Sequence, residues 1–172
     1  MYKLYLDNVK NIIDTNLNDN ILNHINKYKN DDRRKESYLA YSLLKKGLSE
    51  IGIYDFDIDF KSKPKIIGHN IYFNLSHDES YSCAAISDNI IGVDLMHIRK
   101  LDLKLANYIL NEHENMPQND FEYTLLWCKK EAYIKYIGSS ISSDMKNINT
   151  NNFLYEVLDY NDFIVVICLG SK

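Results

Sequence analysis

Apolar residues in this chain change spacing in a repeating order, helical and then strand-like, and that order limits what the chain can fold into. Residues 8–30 are rich in Asn, Asp and Lys, and Ile12, Ile13, Leu17, Ile21, Leu22 and Ile25 predict one or two short helices. A helix over 36–46 follows, with Leu39, Leu43 and Leu44 inward, Asp31-Asp32 as its N-cap and Gly47 as a left-handed C-terminal cap. Strand-like runs come next: a half-exposed one at 55–60, broken by Lys63-Pro64, then 71–76, 81–86 and 90–95. The last two are expected to pair across a tight turn at Asp88-Asn89. The order then starts again. A helix over 101–114 is interrupted by Met116-Pro117, and Asn119-Asp120 cap a strong helix over 121–137 that Gly138 ends. Runs at 153–158 and 163–169 form a closing hairpin around Tyr160-Asn161-Asp162. The expected class is α+β, in two similar halves, 1–92 and 93–172, each a helix packed on a small antiparallel sheet. The halves are expected to be related by a pseudo-twofold in one compact unit, with the site between them.

Composition narrows the function classes. A length of 172 residues suits one domain or two small halves sharing a core. A net charge of −4 argues against a nucleic-acid surface, which needs a strong basic excess, although one basic pocket for a small phosphorylated ligand stays compatible with it. No run approaches the roughly 18 apolar residues of a membrane span. Residues 1–7 read as a strand and not as a secretory signal, so a cytoplasmic protein is expected. Cys83, Cys128 and Cys168 lack metal-site spacing and read as buried small hydrophobes.

Three clusters could carry chemistry. Gly92-Val93-Asp94-Leu95 places an acid at the end of an apolar strand, where burial is costly unless a partner is present. Trp127, Glu131 and Lys135 fall on one helical stripe at intervals of four. Lys63-Pro64 and then Phe73-Asn74-Leu75-Ser76-His77 bring an ammonium, a hydroxyl and an imidazole that suit phosphate oxygens. Taken singly, each also fits a plain role: a cap or an ion pair with Arg99 or Lys100, a solvated Glu131–Lys135 pair beside a core Trp127, or a Ser-His turn. The serine-rich 138–143 stretch lacks the Gly-Lys-Ser ending of a phosphate-binding loop, and no Gly-x-Ser-x-Gly elbow occurs.

In order, Lys-Pro, Phe-Asn-Leu-Ser-His, Gly-Val-Asp and Trp-x-x-Lys-Glu-Ala-x-x-Lys-x-x-Gly resemble the 4′-phosphopantetheinyl transferases, across residues 63–138. The closer similarity is to the surfactin-synthetase-activating subfamily, in which one chain holds two similar halves. The resemblance implies transfer of the phosphopantetheine arm of coenzyme A to a serine of an apo acyl or peptidyl carrier protein, with Mg²⁺ and release of adenosine 3′,5′-bisphosphate. It implies service to fatty-acid, polyketide or nonribosomal-peptide synthesis, by a monomer with no nucleic-acid or membrane partner. Asp94 and Glu131 would hold Mg²⁺, Glu131 would also take the serine proton, and Lys135 would offset charge on the pyrophosphate. Lys63, Ser76, His77 and Lys130 would join Lys135 in binding coenzyme A, and Glu114 matches a family acidic position. Two departures stand out. Met96 occupies the place of a second acid, and Glu36 the place of an arginine for which Arg33, Arg34 or Lys35 could substitute. They leave a second reading open, a catalytically weak coenzyme A or carrier-protein binding module.

Overall fold

The computed structural model describes residues 1–12, 15–139 and 145–172; Ile13 of the first helical pattern and Ser140 to Ser143 of the serine-rich stretch lie outside them. Its secondary structure is α+β with small antiparallel sheets, and the chain divides into two compact units, Met1–Ile91 and Gly92–Lys172. Each runs strand, long helix, hairpin. In the first unit β1 (Tyr2–Asn8) is followed by the short α1 (Asp19–Ile25) and the long α2 (Asp31–Ser49), then by β2 (Ile58–Asp59) and β3 (Lys65–Ile66), and last by the hairpin β4 (Tyr72–Asp78) and β5 (Tyr81–Ser87). The sheet order is β1-β5-β4. In the second unit β6 (Gly92–His97), α3 (Leu103–Ile109) and α4 (Asp120–Ile137) lead to the hairpin β7 (Phe153–Asp159) and β8 (Phe163–Ser171), in the order β6-β8-β7. The returning strand is thus central in both sheets, and the long helix packs on it. In the first unit Leu39, Leu43, Leu44 and Leu48 of α2 join Phe73, Ala84 and Ile86 in one core. In the second, Cys128 and Ala132 of α4 pack on Ile164, Val166 and Cys168 of β8. All three cysteines are free and buried, as expected.

Several local expectations are corrected. Residues 90–95 do not pair back onto 81–86: β6 opens the second unit and pairs with β8, from Gly92 opposite Cys168 to His97 opposite Phe163. The β4–β5 hairpin instead closes at Glu79-Ser80, both at positive φ, as a tight two-residue turn requires. Helix α2 starts at an Asn30 cap, whose side chain accepts from Asp32 N and Arg33 N, and it runs past Gly47 to Ser49. Gly47 is a packing position, because a Cβ there would come within 2.4 Å of Tyr5 and Ile86. The strand at 55–60 shrinks to Ile58–Asp59. The helix expected over 101–114 is Leu103–Ile109, started by an Asp102 cap. Beyond it the backbone turns away, since Asn111 N donates to Glu114 Oε2 at 2.9 Å and Glu114 itself points inward.

The inward turn of Glu114 brings it to a buried partner. Lys130, expected at the coenzyme, is fully buried, and its three N–H donors are taken up. They go to Glu114 Oε2 at 2.8 Å, Met145 O at 3.0 Å and Ile148 O at 2.6 Å. Glu114 also accepts from Thr150 N and Oγ1, each at 2.7 Å. Burial pulls Lys130 below its usual range and Glu114 opposes that; burial pushes Glu114 up, and its bonds from Lys130 and Thr150 more than reverse it. The pair therefore pins the loop after α3 and the 3-10 turns at Met145–Asn147 and Thr150–Asn152 onto α4.

At the other side of α4, Gly92 lets backbone approach backbone. A Cβ there would fall 2.0 Å from Ala132 O and 2.5 Å from Tyr136 N. Neither atom belongs to a flexible side chain, so relief requires moving the helix away from β6. Gly92→Ala is expected to lower stability by more than the roughly 1–3 kcal/mol typical of overpacking, and Gly47→Ala by less, because side-chain tips yield there. Lys130→Met strands a buried carboxylate and should cost about 3–5 kcal/mol, with much of it returned by adding Glu114→Gln. Denaturant titration of the single and double variants checks both expectations.

Candidate functional site

In the second unit, Asp94 sits on β6 and Glu131 and Lys135 one turn apart on α4. Even-numbered positions of β6 face the helix: Gly92 meets Ala132 and Tyr136, and Met96 packs on the cluster that holds Cys128 and Ala132. Asp94, between them, is directed the same way and accepts a hydrogen bond from Lys135 Nζ at 2.7 Å on Oδ1. The thiol of Cys128 reaches the backbone oxygen of Asp94 at 3.4 Å and adds a second tie between helix and strand. Asp94 and Glu131 are 5% and 6% exposed, so two carboxylates share a nearly dry seam. Burial, and then the charge of Asp94, push the Glu131 carboxyl up to about 7, against the pull of Lys135. A pair of repelling buried carboxylates is a donor set suited to a hard divalent cation, which takes oxygen ligands and needs only one or two from protein. Met96 contributes nothing to it, because its thioether packs into the apolar cluster.

The first unit holds the other expected residues. His77, near the end of β4, has Nδ1 3.0 Å from Glu36 Oε2 and 3.2 Å from Arg33 Nη1. One protonation state of that nitrogen donates to the carboxylate; the other accepts from the guanidinium. Glu36 is buried and also accepts from Ser80 N at 2.9 Å, so it holds both His77 and the positive-φ turn. That is why an acid stands here: its charge is used internally. Of the three basic residues at the start of α2, Arg33 is the one beside His77. Arg34 donates to Tyr28 O and pairs with Asp31, and Lys35 faces Asp32 at 3.7 Å. A pocket of about 180 Å³ adjoins His77 and is lined also by Tyr28, Tyr41, Pro64 and Asn74. Ser76 is buried on β4 and is not among its lining residues, and Lys63 Nζ donates to Ile91 O at 3.2 Å.

Sequence reasoning missed the inward roles of Glu36, Lys130 and Glu114, and the signal was present for two of them. Lys130 lies four residues from both Leu126 and Ile134, and Glu36 shares a stripe with Ala40 and Leu43, so each charge interrupts a buried face.

The raised Glu131 sets a direction for stability. Folded, Glu131 keeps its proton to about pH 7; unfolded, it releases it near 4.5. Between these values the folded state binds the extra proton, so this group's contribution to stability falls as pH rises. Without metal, Glu131→Gln should melt several degrees above the parent at pH 8, with the gap closing toward pH 5. Thermal unfolding in chelator at both pH values checks it; equal gaps would show that Glu131 is not charged against its surroundings.

Residues 90–157 match the family model of the 4′-phosphopantetheinyl transferase superfamily, a segment containing Asp94, Glu114, Lys130, Glu131 and Lys135. Three curated proteins are similar. The 4′-phosphopantetheinyl transferase gsp of Aneurinibacillus migulanus is 31% identical over 127 residues, which is 67% of this chain and 53% of that protein. The 4′-phosphopantetheinyl transferase psf-1 of Bacillus pumilus is 31% identical over 80 residues, 42% of this chain and 34% of its own. The transferase ffp of Bacillus subtilis is 32% identical over 81 residues, 42% and 36%. The matched region thus spans about half the length of the first of these relatives and about a third of the others. The resemblance carried by the short motifs and these matches agree in pointing to the 4′-phosphopantetheinyl transferase superfamily, whose family model residues 90–157 match.

Proposed function

We propose that this chain transfers the 4′-phosphopantetheine arm of coenzyme A to a serine hydroxyl of an apo acyl or peptidyl carrier protein, with Mg²⁺, releasing adenosine 3′,5′-bisphosphate. The serine oxygen forms a bond to phosphorus, the pyrophosphate P–O bond breaks, and the adenosine bisphosphate leaves with the bonding electrons. The observation that carries the reading is the buried Asp94–Glu131 pair with Lys135 on the same seam. Such a reaction asks mainly for positioning and charge neutralisation. Asp94 and Glu131 would hold the metal, which when bound draws charge from the pyrophosphate oxygens. Glu131 would also accept the serine proton, directly or through a water. Lys135 supplies a cation for the pyrophosphate. From the first unit Arg33 offers a cation, with His77, Lys63 and Ser76 as further ligands for coenzyme A. Lys130 is left out, because its donors are spent on Glu114 and two backbone oxygens.

Met96, tucked against the α4–β8 cluster, is the one observation that favours a weakly active binding module instead. Two protein carboxylates suffice for Mg²⁺, with water completing its shell, so turnover is the expected outcome.

Intact-mass analysis of several apo carrier proteins, after incubation with this chain, coenzyme A and Mg²⁺, tests the reading. A phosphopantetheine increment on a carrier is expected. Asp94→Ala and Glu131→Ala should each lower turnover by at least about 10²-fold, the scale of losing one charge-stabilising group from such a site. Met96→Ala should keep metal-dependent turnover. Coenzyme A binding without any increment would select the binding module, and neither would end both readings. The carrier should approach the exposed Lys100 and Lys104, at and before α3, where Leu103 and Tyr108 are exposed as well. Charge reversal at both lysines should raise the Michaelis constant for the carrier, more at low salt, and leave that for coenzyme A unchanged.

A further inference from the structure

Without a metal, two carboxylates in a dry seam need a cation, and the structure supplies one of its own. Lys135 Nζ sits 2.7 Å from Asp94 Oδ1, with the Lys135 side chain about a quarter exposed and that of Asp94 nearly buried. Lys135 belongs to the last turn of α4, whose C-terminal end favours positive charge, and Gly138 closes that helix in the left-handed conformation. Its four-carbon stem lets the ammonium swing without moving the helix. We propose that Lys135 is a resident counter-cation on Asp94 that a divalent ion must displace, so that metal binding becomes strong only when an anionic pyrophosphate arrives to receive the ammonium. This rests on the reading of Asp94 and Glu131 as metal ligands and adds an order to it.

The argument is one of charge and space. A divalent ion bound to Asp94 and Glu131 brings two charges where Lys135 brings one, and a dication and an ammonium on the two oxygens of one carboxylate repel each other in a seam so poor in water. Displaced with no anion present, the ammonium stands beside the metal with nothing to offset it. With coenzyme A present, the pyrophosphate receives metal and ammonium together. The metal and the co-substrate then raise each other's affinity, and Lys135 is part of that coupling. The same contact keeps the metal-free site from being held open by two like charges.

The test measures metal binding without turnover. Free Mn²⁺ is followed by electron paramagnetic resonance in titrations of the parent, Lys135→Met, Asp94→Asn and Lys10→Met, the last making the same change in net charge at an exposed lysine of the first unit. Lys135→Met should bind Mn²⁺ alone at least about fivefold more tightly than the parent, the lower end of usual coupling factors. Lys10→Met should stay close to the parent. In chelator Lys135→Met should melt below the parent, and added Mn²⁺ should raise its midpoint more steeply. No gain of Mn²⁺ affinity in Lys135→Met, with Asp94→Asn abolishing the binding seen with coenzyme A, overturns the counter-cation and leaves the metal site standing. An equal gain in Lys10→Met overturns it too, because net charge alone then accounts for the effect. Undiminished binding in Asp94→Asn overturns the metal site and the counter-cation together.

Discussion

Backbone meets backbone where β6 crosses α4, and the second unit depends on that approach. With hydrogen in place of a side chain at Gly92, the strand lies against Ala132 and Tyr136 closely enough that the next helix-facing residue, Asp94, reaches the stripe of Glu131 and Lys135. Moving the helix outward by the size of one methyl group would lengthen every contact of that seam, and electrostatic effects in a dry site change steeply with distance. The Gly-Val-Asp motif is thus one physical device: the glycine sets the separation that lets the acid reach the helix. The buried Lys130–Glu114 pair works from another face of α4, where it fastens the surrounding turns to the helix. It gives the helix a fixed surround, and a fixed surround is what a charged seam needs in order to keep its geometry.

The two units share a plan but use its charges differently. In each, a strand, a long helix and a returning hairpin give a three-stranded sheet with the last strand in the middle. Among the described residues, the first unit buries a single acid, Glu36, and partners it locally with His77, Arg33 and the amide of Ser80. The second buries two acids in one seam and supplies one ammonium, which leaves Glu131 proton-hungry. The contrast is between an acid partnered within its own unit and a pair left under-neutralised, which is the kind of perturbed group that marks a candidate site.

The long, strongly patterned parts of the fold were legible in the sequence. Helix α4 begins at its Asn119 cap and ends at Gly138, and the closing hairpin turns at Tyr160-Asn161-Asp162, with Asn161 in the left-handed region. Pairing between distant strands was not legible. Residues 90–95 carry the same alternation whether they pair with 81–87 or with 163–168, and only the whole topology decides between them. Gly47 misled for a related reason: a glycine near a helix end signals a cap or a close contact equally well, and Tyr5, forty-two positions earlier, decides which. In the site, the stripe of Glu131 and Lys135 followed from helical spacing, and so did its neighbour Lys130. Five residues, roughly 140° around the helix, separate the two lysines' fates, since Lys130 falls in line with Leu126 and Ile134 and faces inward. The motif alone names both as cations; burial separates them.

Met96 shows how far such a site can depart from the expected pattern before its chemistry changes. In the pattern this strand position would be a third acid near Asp94 and Glu131, and a third buried charge would raise the repulsion that Lys135 already offsets only in part. With a thioether there, the position contributes apolar packing against the α4–β8 cluster, and the seam keeps two carboxylates to one ammonium. On the proposed reading, that balance would be easier to hold without metal and weaker in its grip on one. The loss falls on an ion that ordinarily keeps several waters, where one ligand fewer is replaced by solvent at modest cost. On the proposed function, the arrangement would stay competent with two acids so long as Gly92 holds the strand to the helix and the ammonium of Lys135 remains within reach of both its partners, the carboxylate and the incoming phosphate.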